Sequence, residues 1–329
     1  MMNTQQKQAI DLAIAGHNLV ILGSAGTGKS FVLREIKESL LSLGKSVKLC
    51  CSTGIACSVL DEASTVHSFL GLCDGRFGPN EINSIHNESA IYNYVDQHLN
   101  DTDCLIVDEC SMISKRTFQS IIHVCSRKKC QMQLILCGDF LQLPPVPNQL
   151  YMDSGQYCFE ADEFSRLFPH KIMLTEVFRT TEPILVKAIS DLFTGKLSPE
   201  SETFIRSLSR PLLSNPEDIK LFSNNALVDD YNRSCLLKFP GDIHEFVSTD
   251  SGEKEVLDKM VVSHTLWLKV NCPVILLQNL SDKKLVNGLR GLVKSITKDN
   301  LVVSFETINI CATIPLVKFT GNSFQHRKH

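Results

Sequence analysis

Short, continuous apolar runs recur through the first half of the chain: Leu19 to Leu22, Val47 to Cys51, Cys104 to Val107, Leu134 to Cys137 and Ile172 to Thr175. Runs of this length without polar alternation suit strands buried on both faces of a parallel sheet. Between them the spacing becomes helical. Val32, Leu33, Ile36 and Leu40 lie on one stripe, residues 4–15 carry Ile10 and Ile14 behind Thr4 as N-cap, and a third helix is predicted over Ile91 to Leu99. Strand alternating with helix predicts an α/β domain. The irregular stretch that ends at Pro169 is expected to be packed down by Phe159, Phe164 and Phe168.

Beyond Thr175 the pattern changes. Ile184, Leu185, Ala188, Ile189 and Leu192 form a helical stripe closed by Gly195. Leu221 and Phe222 begin a predicted strand, and the helix after it, carrying Asn232 and Arg233, is read as a packing face. Val274 to Leu277 is a further strand. From Asn287 to Pro315 short runs separated by turn residues predict a small β module. The predicted organisation is a first domain over 1–175, a second over 176–284, the β module over 285–320 and a polar tail over 321–329.

Composition narrows the class. The 329 residues, 43% apolar and 21% charged, describe a soluble globular chain. A net charge of −3 leaves any nucleic-acid contact to a local groove. The 13 cysteines are scattered through apolar runs without a CxxC pair. That usage suits buried thiols in a reducing compartment rather than disulfides or zinc. No apolar run approaches membrane-spanning length, and no membrane association is expected.

The chemistry starts at Gly23, Ser24, Ala25, Gly26, Thr27, Gly28, Lys29 and Ser30, which fill the G-x-x-x-x-G-K-[ST] pattern between a predicted strand and helix. Glycines there let successive N–H groups face inward around phosphate oxygens, and the helix adds its positive end. Lys29 can reach the outer phosphates, and the Ser30 hydroxyl can ligate Mg²⁺. Asp108 and Glu109 end the third apolar run, where a nucleotide's metal would lie: Asp108 suits Mg²⁺ and Glu109 a general base. Gln6 is either a solvated side chain or a carboxamide for an adenine edge. Gln142, after the fourth run, either senses a terminal phosphate or is solvated. Thr53, His67 and Ser68 lie on strand-end loops suited to a single strand, while Phe69 offers a stacking face or a core ring. Arg179, read bare, is a surface ion-pair partner.

These stretches together resemble one family. GSAGTGKS at 23–30, STGIA at 52–56, TVHSF at 65–69, VDECSM at 107–112, CGDFLQLPPV at 137–146, LTEVFR at 174–179, SNNALVDDYNR at 223–233 and LVNGLRGLV at 285–293 are similar to the Pif family of superfamily 1 DNA helicases, related to RecD. The resemblance implies a RecA-like P-loop domain with a parallel sheet, followed by a partial second RecA-like domain carrying a small β-barrel. It implies ATP hydrolysis with Mg²⁺, coupled to 5′-to-3′ movement on single-stranded and forked DNA, in repair, recombination and telomere maintenance. It makes Gln6 the adenine reader, Gln142 the coupler to the DNA groove, Arg179 an arginine finger entering from the second domain's side, and Thr53, His67, Ser68 and Phe69 the strand contacts. It also implies a monomer in the nucleus, or in the mitochondrion where a targeting segment precedes the chain. The family's later His-Lys-Ser-Gln-Gly and Ala-Leu-Ser-Arg stretches are not in this sequence. The expectation is a C-terminally truncated member that binds nucleotide and unwinds weakly, with a binding module lacking catalysis as the other reading.

Overall fold

The computed structural model describes residues 2–328 except 59, 61–62, 73–77, 79–80, 83–90, 129–130, 150–151, 181, 211–218, 253–256, 258–261, 281–283, 298–299 and 321–325. The chain divides into two compact units, Met1–Pro211 and Leu212–His329. The division expected at 175/176 therefore falls inside the first unit, because the chain past residue 175 stays hydrogen-bonded to the first unit's loops.

The first unit is a six-stranded sheet. Its strands are β1 (Leu19–Gly23), β2 (Val47–Cys51), β3 (Ser64–Thr65), β4 (Cys104–Asp108), β5 (Gln133–Gly138) and β6 (His170–Leu174), in the order β3-β2-β4-β5-β1-β6. Every pair is parallel. Successive side chains of each strand feed opposite cores. Leu19, Ile21, Ile106, Ile135 and Cys137 face one cluster with α1 (Thr4–Ile14) and α2 (Lys29–Ser42). Val20, Leu105, Val107 and Leu136 face another, with Val95, Leu99 and the helix Lys115–Cys125. The expected stripe Val32, Leu33, Ile36 and Leu40 is fully buried, each residue at 0% exposure. Burial of that kind stabilises by about 1.5–3 kcal/mol per side chain. Asn3, rather than Thr4, caps α1: its side chain accepts from the Gln6 N–H, and the Gln6 side chain answers on the Asn3 N–H.

Phe164 and Phe168 are core residues, as expected, whereas Phe159 is 43% exposed. The helix Pro183–Thr194 ends on left-handed Gly195, but of its predicted stripe only Ala188 is buried. Most described cysteines are buried thiols, and none is bridged among the described residues.

In the second unit all strand pairs among the described residues are antiparallel. Pro273–Ile275, Arg290–Ile296, Leu301–Phe305 and Ile310–Ile314 form one four-stranded sheet, so the run near Val274 joins the β module. Residues 326–328, expected as tail, pair with Lys318–Thr320 and Thr249–Ser251. Leu221 and Phe222 form no strand, and Leu221 is 92% exposed. The helix Asn225–Lys238, read as a packing face, buries none of its residues. Among the described residues no helix is long and apolar enough to cross a membrane.

Candidate nucleotide site

The site lies at the C-terminal ends of β4, β5 and β1, adjacent in the sheet, where open α/β sheets gather ligands. β1 runs straight into the glycine loop, and α2 begins at Lys29 with Gly28 as its N-cap. Gly26 and Gly28 both have φ +84°, left-handed backbone that a side chain resists. They are also crowded. A Cβ on Gly28 would come within 2.7 Å of Gln6 Nε2, and one on Gly26 within 2.5 Å of Arg179 Cβ. Lys29 Nζ donates to the Gly23 and Ser24 carbonyls at 2.8 and 3.1 Å. Thr27 is fully buried and its hydroxyl donates to Ser24 O at 2.9 Å. Ala25 and Ser30 are exposed.

Opposite the loop are acids. Asp108 is the last residue of β4, 5% exposed, and accepts from the Glu109 N–H at 2.9 Å. Burial holds its carboxyl above the ordinary carboxylate range, with the Lys29 ammonium pulling the other way. Glu109 turns the chain with φ 56°, unusual for a residue with a Cβ. Burial raises its carboxyl too, reinforced by Asp108 and Asp139 and opposed by Lys29. Asp108, Glu109 and Lys29 thus share one electrostatic neighbourhood. Two oxygen donors, the Asp108 carboxylate and the Ser30 hydroxyl, suit a hard divalent cation completed by phosphate and water. Among the described residues no cluster of three His, Cys, Asp or Glu could hold a metal by itself.

Asp139 was not singled out from the sequence. It follows β5 as Asp108 ends β4, and that parallel was the available signal. It is 5% exposed, and its carboxylate accepts from Gln142 Nε2 at 2.9 Å, so Gln142 is tied to the acid cluster rather than merely solvated. Gln6 is also not solvated: at 3% exposure its Nε2 donates to Thr27 O at 3.5 Å. Gln5 was missed as well; its Oε1 accepts from the Thr175 N–H at 3.1 Å.

Arg179 reaches the loop from the first unit, not from a second domain. β6 pairs with β1, so the chain leaving β6 falls directly onto the loop, and the Phe178 N–H donates to Gly26 O at 2.7 Å. Thr53 follows β2; its hydroxyl accepts from Ala56 N–H at 3.3 Å, and the neighbouring Ser52 N–H donates to Asp108 O at 3.2 Å. His67 is half-buried and Ser68 exposed on the short helix Val66–Phe69, beside the β2 end. Phe69 is 5% exposed and belongs to the core, so it presents no free face for stacking; its ring is held there by cluster packing and by His98 at 6.2 Å.

Fold and site together define a RecA-like phosphate-loop domain. A family model described as PIF1-like helicase matches residues 1–190, and one described as DNA helicase Pif1, 2B domain, matches 254–296. The chain belongs to the PIF1-like helicase family. ATP-dependent DNA helicase RRM3 of Saccharomyces cerevisiae is 30% identical over 327 residues, covering 94% of this chain and 44% of the relative. ATP-dependent DNA helicase PIF1 of Mus musculus is 30% identical over 304 residues, covering 89% and 45%. The chain therefore spans less than half the length of these curated relatives. The crystal structure of Pif1 helicase from Candida albicans matches with a TM-score of 0.76 at 25% identity, covering 100% of this chain and 83% of that one. Bacteroides Pif1 bound to ssDNA matches in fold with a TM-score of 0.79 at 21% identity, covering 100% and 80%.

Proposed function

We propose that this chain carries the ATP-hydrolysing core of a DNA helicase that moves 5′ to 3′ along single-stranded DNA and opens forks. The observation that carries the reading is the placement of Asp108 and Glu109 at the end of β4 on the same sheet edge as the glycine loop and Lys29, which follow β1. In this reading residues 23–30 cradle the phosphates through backbone N–H groups, and Lys29 turns its ammonium to the outer ones. Ser30 and Asp108 would hold Mg²⁺, which would neutralise phosphate charge when bound. Glu109, its carboxyl raised by burial, accepts a proton from the attacking water more readily than an exposed carboxylate would. Arg179 offsets charge on the transferred phosphoryl. Gln6 keeps a second N–H and a second lone pair for the adenine edge.

Coupling to DNA runs through two hydrogen bonds, one of backbone and one of side chains. The Ser52 N–H on Asp108 O ties the loop carrying Thr53 to the metal-side acid, and Gln142 is tied to Asp139. Thr53, His67 and Ser68 then grip the strand while the acids sense the nucleotide. Forked DNA as substrate, action as a monomer, and service in repair, recombination and telomere maintenance extend the same reading. The buried free thiols suit a reducing compartment, and the same reading extends to the nucleus, or to the mitochondrion where a targeting segment precedes the chain. The test is ATP hydrolysis by the purified chain with single-stranded DNA, with RNA and with neither. Stimulation by DNA well above RNA is expected. Equal rates in all three would remove the DNA motor.

A further inference from the structure

With Phe69 in the core, the first unit needs another ring if it is to stack a base. Phe140, Tyr157 and Phe159 form such a group. Tyr157 and Phe159 are stacked at 5.0 Å and 12°, and Phe140 meets Phe159 edge-on at 4.8 Å and 87°. Phe140 also meets Tyr157 edge-on at 5.7 Å. Phe159 is 43% exposed although the chain around it is fixed. Its neighbour Cys158 is fully buried, with its Sγ on Cys110 O at 3.7 Å. Tyr157 bridges to Ser114, and its N–H donates to Glu160 Oε2 at 2.6 Å. The Lys115 N–H donates to Gln156 O at 2.8 Å, which pins the segment to the start of the helix Lys115–Cys125. A ring held rigidly and left half in water is oriented for a flat partner at little cost in order.

We propose that Phe159, backed by Tyr157 and Phe140, is the stacking platform of the first unit for a nucleobase of the single strand. The position has a consequence for coupling. Phe140 follows Asp139 directly, and Asp139 holds Gln142, so the ring group is continuous with the acids of the nucleotide site. A base seated on Phe159 contributes binding that does not depend on which base it is, as a motor moving over any sequence requires. This inference rests on the DNA reading above and adds the contact that reading lacked.

The test uses the full chain, a labelled oligothymidylate, and an abasic oligomer of the same length. Phe159→Ala is expected to weaken binding of the oligothymidylate by about 10-fold or more, the loss typical of one stacked base. It leaves abasic binding and binding of a fluorescent ATP analogue unchanged. Phe159→Trp, read against the single native Trp267, is expected to keep affinity and to lose fluorescence on adding the oligothymidylate but not the abasic strand. Wild-type affinity in Phe159→Ala, equal losses on both strands, or no quenching of the introduced indole in Phe159→Trp overturns the platform while leaving the helicase reading standing. A wild-type chain that binds neither strand sinks both together.

Discussion

The two compact units place their apolar residues differently. In the first, both faces of a parallel sheet are covered, and α2 buries Val32, Leu33, Ile36 and Leu40 completely. In the second, the cores are small, centred on Leu268, Cys272 and Val293 and on Leu285, Val303 and Phe305. Its helix Asn225–Lys238 buries no residue and leaves Leu237 61% exposed. The lesson is about precision. A site that must hold a loop, two strand ends and a ring seam in register belongs on the unit whose local opening is most costly. The phosphate loop, the acids and Arg179 all sit there.

The largest expected effect is on chemistry. Glu109→Gln is expected to lower ATP turnover by about 10²–10⁴-fold, the range for a lost general base, while ATP still binds. A binding defect of the same size would move Glu109 out of that role. The next effect tests the contrast between units directly. Leu33→Ala is expected to cost about 2–5 kcal/mol in urea unfolding, as a buried leucine does. Leu237→Ala, in water already, should stay within about 0.5 kcal/mol. Similar costs at both positions would erase the distinction.

The smallest effect concerns pH. The Asp108 and Glu109 carboxyls titrate above their ordinary range in the folded chain, so the native state binds protons more tightly than the unfolded one. Their contribution to stability is therefore fully present below the ordinary carboxylate value and is lost as pH rises through the raised native values. Asp108→Asn removes the Asp108 part. The variant should melt at a higher temperature than wild type at neutral pH, and at nearly the same temperature at about pH 2.5, below the ordinary Asp value, where the acid is protonated in both states. A lower melting temperature at neutral pH would mean that Asp108 stabilises the fold as a charge.

Much of the first unit was legible in the sequence, for a physical reason. Parallel strands buried on both faces read as unbroken apolar runs, and each predicted run is a strand within a residue or two at its ends. Lys29, Asp108 and Glu109 were legible because loop and acids must follow strand ends. Three features were hidden. Phe159, expected to pack down, is half in water, and of the two readings left open for Phe69 the core ring holds, because composition shows that a ring is present and not which face it meets. Asp139 was passed over, although it too is an acid at the C-terminal end of an apolar strand, one residue past β5. Arg179 was placed on the second domain's side by the family resemblance alone; the pairing of β6 with β1 carries the chain onto the loop instead. In the second unit the short runs from Asn287 predicted a β module but not that the strand near Val274 belongs to it, since Pro273–Ile275 is too short to mark a face.

The account depends most on a triphosphate seated in the glycine loop. Isothermal titration of the purified chain with ATP, with and without Mg²⁺, in wild type and Lys29→Ala, measures this directly. The expected result is saturable wild-type binding that tightens with Mg²⁺ and weakens by about 100-fold or more in Lys29→Ala, as loss of a charged phosphate contact in a preorganised site would. Equal affinity in both proteins, or heat that does not respond to Mg²⁺, would contradict it.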